Sequence, residues 1–121
     1  MMSIRVAKEY LHLQEWIRRV GEVVDSGEDA YLSSYLLSEA GDSLLMKMGE
    51  AASRLARLGI PSPPGISWTD AINQRNWLIH QYDHVDRTVT WATLTRDIPR
   101  WAEALRPHFA EAQARVASAS R

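Results

Sequence analysis

Apolar residues recur along this chain in helical steps, and nowhere do they alternate with the period of two that a strand needs. Val6, Tyr10, Leu13, Ile17, Val20 and Val24 follow at intervals of four and three, which draws one stripe down a helix. Asp25-Ser26-Gly27 ends that helix, and Asp29 or Ser33 can begin the next, striped by Leu37, Leu44, Met48, Ala52 and Leu55. The two predict an antiparallel pair. Gly59-Ile60-Pro61-Ser62-Pro63-Pro64-Gly65 cannot continue a helix, because proline lacks the donor and clashes with the preceding turn. Ser67, with Asp70 three residues on, reads as an N-cap with an acid in the first turn, so a further helix starts at about Trp68. Asp86 or Thr88 can cap a final helix carrying Val89, Leu94, Ile98, Trp101 and Leu105, with Pro99 bending or restarting it. The pattern therefore predicts an all-α, up-and-down bundle of four to five helices. It forms one domain over residues 1–110, with 111–121 as a small, polar, frayed tail.

Composition narrows the chemistry. The 121 residues contain no cysteine, which removes thiolate nucleophiles, thiolate metal sites and disulfides, and agrees with a reducing cytoplasm. No run approaches the ~20 apolar residues of a membrane span, and the N-terminal stretch lacks the apolar core of a signal peptide, so the expectation is a soluble cytoplasmic protein without a membrane partner. A net charge of −1 argues against a nucleic-acid binder that works through a broad basic surface. Arg87, Arg96, Arg100, Arg106, Arg115 and Arg121 outnumber the acids of residues 87–121, but they read as an ordinary charged helix exterior. The five tryptophans read mainly as packing bulk, with Trp77 the one candidate for RNA contact or dimer packing.

Candidate chemistry concentrates in Arg75-Asn76-Trp77-Leu78-Ile79-His80-Gln81-Tyr82. Arginine presents a flat, permanently charged fork that matches two phosphate oxygens, and histidine is the side chain whose ordinary titration range brackets neutrality. That pair suits phosphodiester cleavage without a metal. At roughly 100° per residue, Asn76, His80 and Asp83 share one arc, and Ala71, Arg75, Leu78 and Tyr82 form a neighbouring stripe. Arg75 and His80 then stand roughly 140° apart. Either the Arg side chain curls round, or the helix ends near His80, or a second copy of the chain supplies the missing half. The last is favoured, since a two-fold axis builds one cleft from two helices.

A metal reading rests on His80 and His84, four apart, with Asp83 or Asp86 as a third ligand. The hydrolytic zinc pattern needs a glutamate directly after the first histidine, where Gln81 stands and cannot accept a proton. No metal and no other cofactor is therefore expected.

Arg75-Asn76, His80-x-Tyr82, Val85-Asp86, Trp91 and Asp97-Ile98-Pro99 together resemble the signature of the HepT-like ribonucleases, a branch of the HEPN superfamily. Met48-Gly49-Glu50-Ala51-Ala52 with Leu55 resembles that family's Ile-Gly-Glu-Ala helix, and Ile66-Ser67-Trp68 its Ile-Pro-Trp entry to the motif helix. The similarity spans about residues 5 to 107. It departs at Glu39, where family members often carry arginine, and at Gln81, where the family residue is often small.

The resemblance implies a HEPN-like bundle that dimerises around the motif helix. It also implies a metal-independent endoribonuclease, the toxin of a toxin-antitoxin system, acting on tRNA or mRNA through the RNA's own 2′-hydroxyl. Arg75 and His80 are then the catalytic pair, with Asn76 orienting the imidazole or binding phosphate. Tyr82 is the residue to which a cognate minimal nucleotidyltransferase antitoxin attaches AMP. The alternative is a non-catalytic HEPN module that binds nucleotide or docks a nucleotidyltransferase.

Overall fold

A computed structural model of the protein describes residues 1–81 and 83–120. Helix α1 (Ile4–Asp25) is capped by Ser3, whose Oγ accepts from the Val6 amide. A six-residue helix, α2 (Glu28–Ser33), starts at Gly27. That glycine sits at φ 92°, a conformation open to few other residues. Ser34, rather than Asp29 or Ser33, caps α3 (Tyr35–Arg57) by accepting from the Leu37 amide. After the proline-rich loop comes α4 (Trp68–His80), and then α5 (Arg87–Ala92), which Asp86 caps. A π-helical turn at Thr93–Asp97 leads without a break into α6 (Ile98–Ala119). Counted as one element, the α5–α6 run gives five helices, and no strand occurs among the described residues.

The π turn has a local cause. In α register the Pro99 ring would strike the Thr95 carbonyl one turn earlier, and proline supplies no N–H to bond it. Widening the helix just before Pro99 removes that clash, and the helix runs on through the proline into α6. Pro99 therefore marks a local widening of one continuous helix, not a new start. The stretch from residue 111, read from sequence as a frayed tail, continues α6 to Ala119; Ala112 is buried and Arg115 Nε donates to the Met2 carbonyl at 2.9 Å.

Cross-links give the directions of the helices. Arg54, late in α3, pairs with Glu9, early in α1, while Arg115 at the end of α6 reaches the start of α1. Both neighbours thus run antiparallel to α1. The stripes predicted for α1 and α3 supply the core, with Tyr10, Leu13 and Val20 facing Leu44, Met48, Ala52 and Leu55 in one buried cluster. From α6 come Ile98, Trp101, Leu105 and Phe109, with Leu94 from the π turn. Val89, expected on that apolar list, is exposed, because α5 turns it away from the cluster. Trp68 at the head of α4 packs on Trp101 with ring centroids 5.7 Å apart. No helix is long and apolar enough to cross a membrane among the described residues.

Candidate functional site

Helix α4 is a polar helix held in place at its start. Ser67 Oγ accepts from the Thr69 amide, Ser62 Oγ accepts from the Trp68 amide, and the Trp68 indole donates to the Ile60 carbonyl at 2.9 Å. These bonds tie the proline-rich loop to the first turn of α4. Within the helix only Trp68 and Leu78 are fully buried, so its placement depends on a close contact elsewhere.

Gly49 of α3 supplies that contact. A Cβ built on Gly49 would lie 2.5 Å from Arg75 Cβ and 2.7 Å from the Ala71 carbonyl, so only glycine allows the two backbones to come this near. Arg75 is thus fixed at its root. Its guanidinium meets the neighbouring side chain at the surface: Nε and Nη2 donate to Asn76 Oδ1 at 3.3 and 3.1 Å. Asn76, expected to orient the imidazole or bind phosphate, turns its oxygen to the neighbouring guanidinium, which the long arginine stem brings round the helix. Nη1 has no hydrogen-bond partner among the described residues.

His80 is exposed and is the last residue of α4. The Gln81 amide closes the helix on the Trp77 carbonyl, and the His84 amide bonds the Gln81 carbonyl in a turn that leads away from it. Helical projection therefore holds for Arg75, Asn76 and His80 but stops before Asp83. His84 lies outside the helix, so the arrangement of two imidazoles one turn apart does not form. Among the described residues no hydrogen bond joins His80 to Arg75 or Asn76, and no group of three or more His, Asp or Glu side chains could hold a metal ion. The AMP-acceptor expectation on Tyr82 falls outside the described residues. Trp77 is half-buried at the edge of the core cluster.

A groove of about 710 Å³ runs between α3 and the segment after α4. Glu39, Asp42, Glu50 and Asp83 line it against Lys47 and Arg87, so its balance is acidic and disfavours a phosphate chain. Glu39, the departure at the family's arginine position, belongs to this wall. Arg87 Nη1 donates to both carboxylate oxygens of Asp42. Burial works against the Arg87 charge, yet the Asp42 carboxylate more than offsets it and holds the pKa above its ordinary value. This bond clamps the start of α5 to α3 and so anchors the far end of the segment that follows His80. No spacing signal reveals the Asp42–Arg87 pair, because its members are 45 residues apart.

Comparison with known proteins adds three findings. The sequence profile of the family described as "Ribonuclease HepT-like" matches residues 13–107. A protein of Methanocaldococcus jannaschii named "Gamma-glutamylcyclotransferase and putative RNase" is 32% identical over 98 residues, which cover 79% of this chain and 44% of that relative. The chain thus spans less than half of the relative's length. No solved structure matches.

Proposed function

The chain belongs to the HepT-like ribonuclease family, and on that footing we propose that it cleaves RNA without a metal, as the toxin of a toxin-antitoxin pair. One observation carries the reading: a guanidinium rooted against α3 and bonded at its tip to Asn76, on the same helix as an exposed imidazole. A preorganised cation aimed where charge develops is the larger part of such catalysis.

In this reading Arg75 neutralises the non-bridging phosphate oxygens and His80 takes the proton of the 2′-hydroxyl. The 2′-oxygen bonds phosphorus, the bond to the 5′-oxygen breaks, and that oxygen leaves with the proton that the imidazolium of His80 returns. The products are a 2′,3′-cyclic phosphate and a 5′-hydroxyl. The two groups come from paired subunits, each chain contributing its α4 to a shared cleft around a two-fold axis. The RNase function in the name of the archaeal relative supports the substrate class.

A cognate nucleotidyltransferase silences the toxin by transferring AMP from ATP to the Tyr82 hydroxyl, with pyrophosphate leaving. The added phosphate competes for the guanidinium and the nucleoside fills the cleft. Incubation of tRNA and mRNA with the purified protein in chelator, beside His80→Ala, tests the nuclease reading. Cleavage with cyclic-phosphate ends, lost in the variant, is expected; identical RNA patterns overturn it. Coexpression with a minimal nucleotidyltransferase tests the switch: the mass should rise by one AMP on Tyr82, with loss of toxicity, and an unchanged mass overturns it.

A further inference from the structure

A second cleft, of about 200 Å³, opens between α3, α4 and the π turn. Three separate features meet there. The π turn contributes Thr93 and Asp97 to its wall, and such turns occur often at functional sites. Gln74 of α4 lines it too, and the Gln74 amide nitrogen is shut off from solvent with no partner among the described residues. As placed, that nitrogen faces away from the cleft, and exchanging the two ends of the amide brings its N–H groups to the cleft wall. Asp70 and Arg100 make the rest of the wall as polar as it is apolar, with Met48 and Trp101 among its apolar residues.

The charges select the guest. Asp97 is taken up by Arg100, whose Nη2 donates to its Oδ1 at 2.6 Å. Asp70, also in the wall, has no side-chain partner among the described residues. One carboxylate is therefore free, and the cleft repels phosphate while favouring a neutral group rich in N–H donors. The volume falls below that of pockets for whole drug-sized ligands and suits a single bicyclic ring.

We propose that this cleft binds the guanine base. Guanine places N1–H and its exocyclic amine side by side, where both can donate to Asp70. Its O6 and N7 accept from an amide, and rotation about the terminal bond of Gln74 turns the amide nitrogen toward the cleft. Adenine sets a lone pair at N1 against the carboxylate, and pyrimidines underfill the space. The Asp97-Ile98-Pro99 run has its place here, since Pro99 provokes the turn that opens the wall.

Titration calorimetry with guanosine, adenosine and the pentamers r(UUGUU) and r(UUAUU) tests the site, and no arm reads cleavage, so it stands apart from the nuclease reading. Guanosine should bind at least about tenfold more tightly than adenosine, and Gln74→Leu and Asp70→Asn should each weaken it by about tenfold or more. Melting temperatures measured beside the titrations identify any variant that fails to fold, and Asp70→Asn, exposed at its site, serves where Gln74→Leu does not. If r(UUGUU) outbinds both guanosine and r(UUAUU), the guest is a base within RNA. If guanosine binds as tightly as the pentamer, the guest is the free nucleoside. Equal affinity for guanosine and adenosine, no binding at millimolar guanosine, or folded variants that bind like the wild type would overturn the proposal.

Discussion

Gly49 and Arg75 meet so closely that a methyl group on the glycine would stand 2.5 Å from the arginine Cβ. Gly49→Ala must therefore push α4 off α3, and overpacking of this kind costs ~1–3 kcal/mol. Gly21, inside α1, has nothing within 4 Å of its added Cβ. Gly21→Ala should stabilise by roughly 0.5–1 kcal/mol through helix propensity alone. Urea unfolding of both variants checks the contrast. Opposite signs are expected, and two stabilised variants would show that the helices are not pinned at Gly49.

A second prediction concerns the buried bond between the Tyr31 hydroxyl and Thr90 Oγ1, 2.6 Å long and 59 residues apart in sequence. Burial pushes the Tyr31 phenol above its ordinary pKa, against the opposing bond from Thr90. Thr90→Val removes that bond and leaves the buried hydroxyl only the neighbouring Arg87, which should destabilise by ~1–3 kcal/mol. Adding Tyr31→Phe removes that hydroxyl, so the double variant should recover most of the loss. A double-mutant cycle in thermal unfolding measures it, and simple additivity would contradict the account.

Glu15 provides a test in acid. Hydrogen bonds from Arg18 and Arg19 on the same helix face hold its carboxyl at about 2, below an unfolded value of 4.5. A lowered carboxylate pKa adds stability that is fully present above the unfolded value and is lost as pH falls through the folded one. The window is therefore pH 4.5 down to about 2. Glu15→Gln should flatten the stability profile in that window and, for an exposed and screened group, change little at neutral pH. An NMR titration midpoint near 4.5 in place of about 2 would refute it.

Much of this arrangement was legible in the residues. The stripe through Tyr10, Leu13 and Val20 faces the core because helical periodicity and burial are one fact seen twice. Ser67 caps α4 as expected and, of the two candidates Asp86 and Thr88, Asp86 caps α5, since capping depends on neighbours in sequence. Contacts between distant segments were not legible. The Asp42–Arg87 clamp has no local signature, and the short helix before α3 moved the cap to Ser34. Gly49 was visible as part of a family motif, while its close approach to Ala71 and Arg75 needed coordinates. The geometry of α4 beyond His80 could not be projected, because the helix ends there.

The Arg75–Asn76 bond separates charge from positioning. Arg75→Ala should lower RNA cleavage by about 10²–10³-fold, and Arg75→Lys should recover little, since a lysine lacks the planar fork. Asn76→Ala keeps the charge and frees its tip, so a smaller loss, of about tenfold, is expected. Initial rates on one RNA rank the three. Equal losses from Asn76→Ala and Arg75→Ala would assign Asn76 a chemical role of its own.

Cleavage by mixed dimers tests the shared site most directly. Chains carrying Arg75→Ala and chains carrying His80→Ala, each inactive alone, are coexpressed with different tags and assayed on RNA in chelator. If Arg75 of one subunit works with His80 of its partner, each mixed dimer holds one intact site, and random pairing returns about a quarter of the wild-type rate. A mixture no more active than its parents, beside an active wild type, would contradict the paired-subunit account.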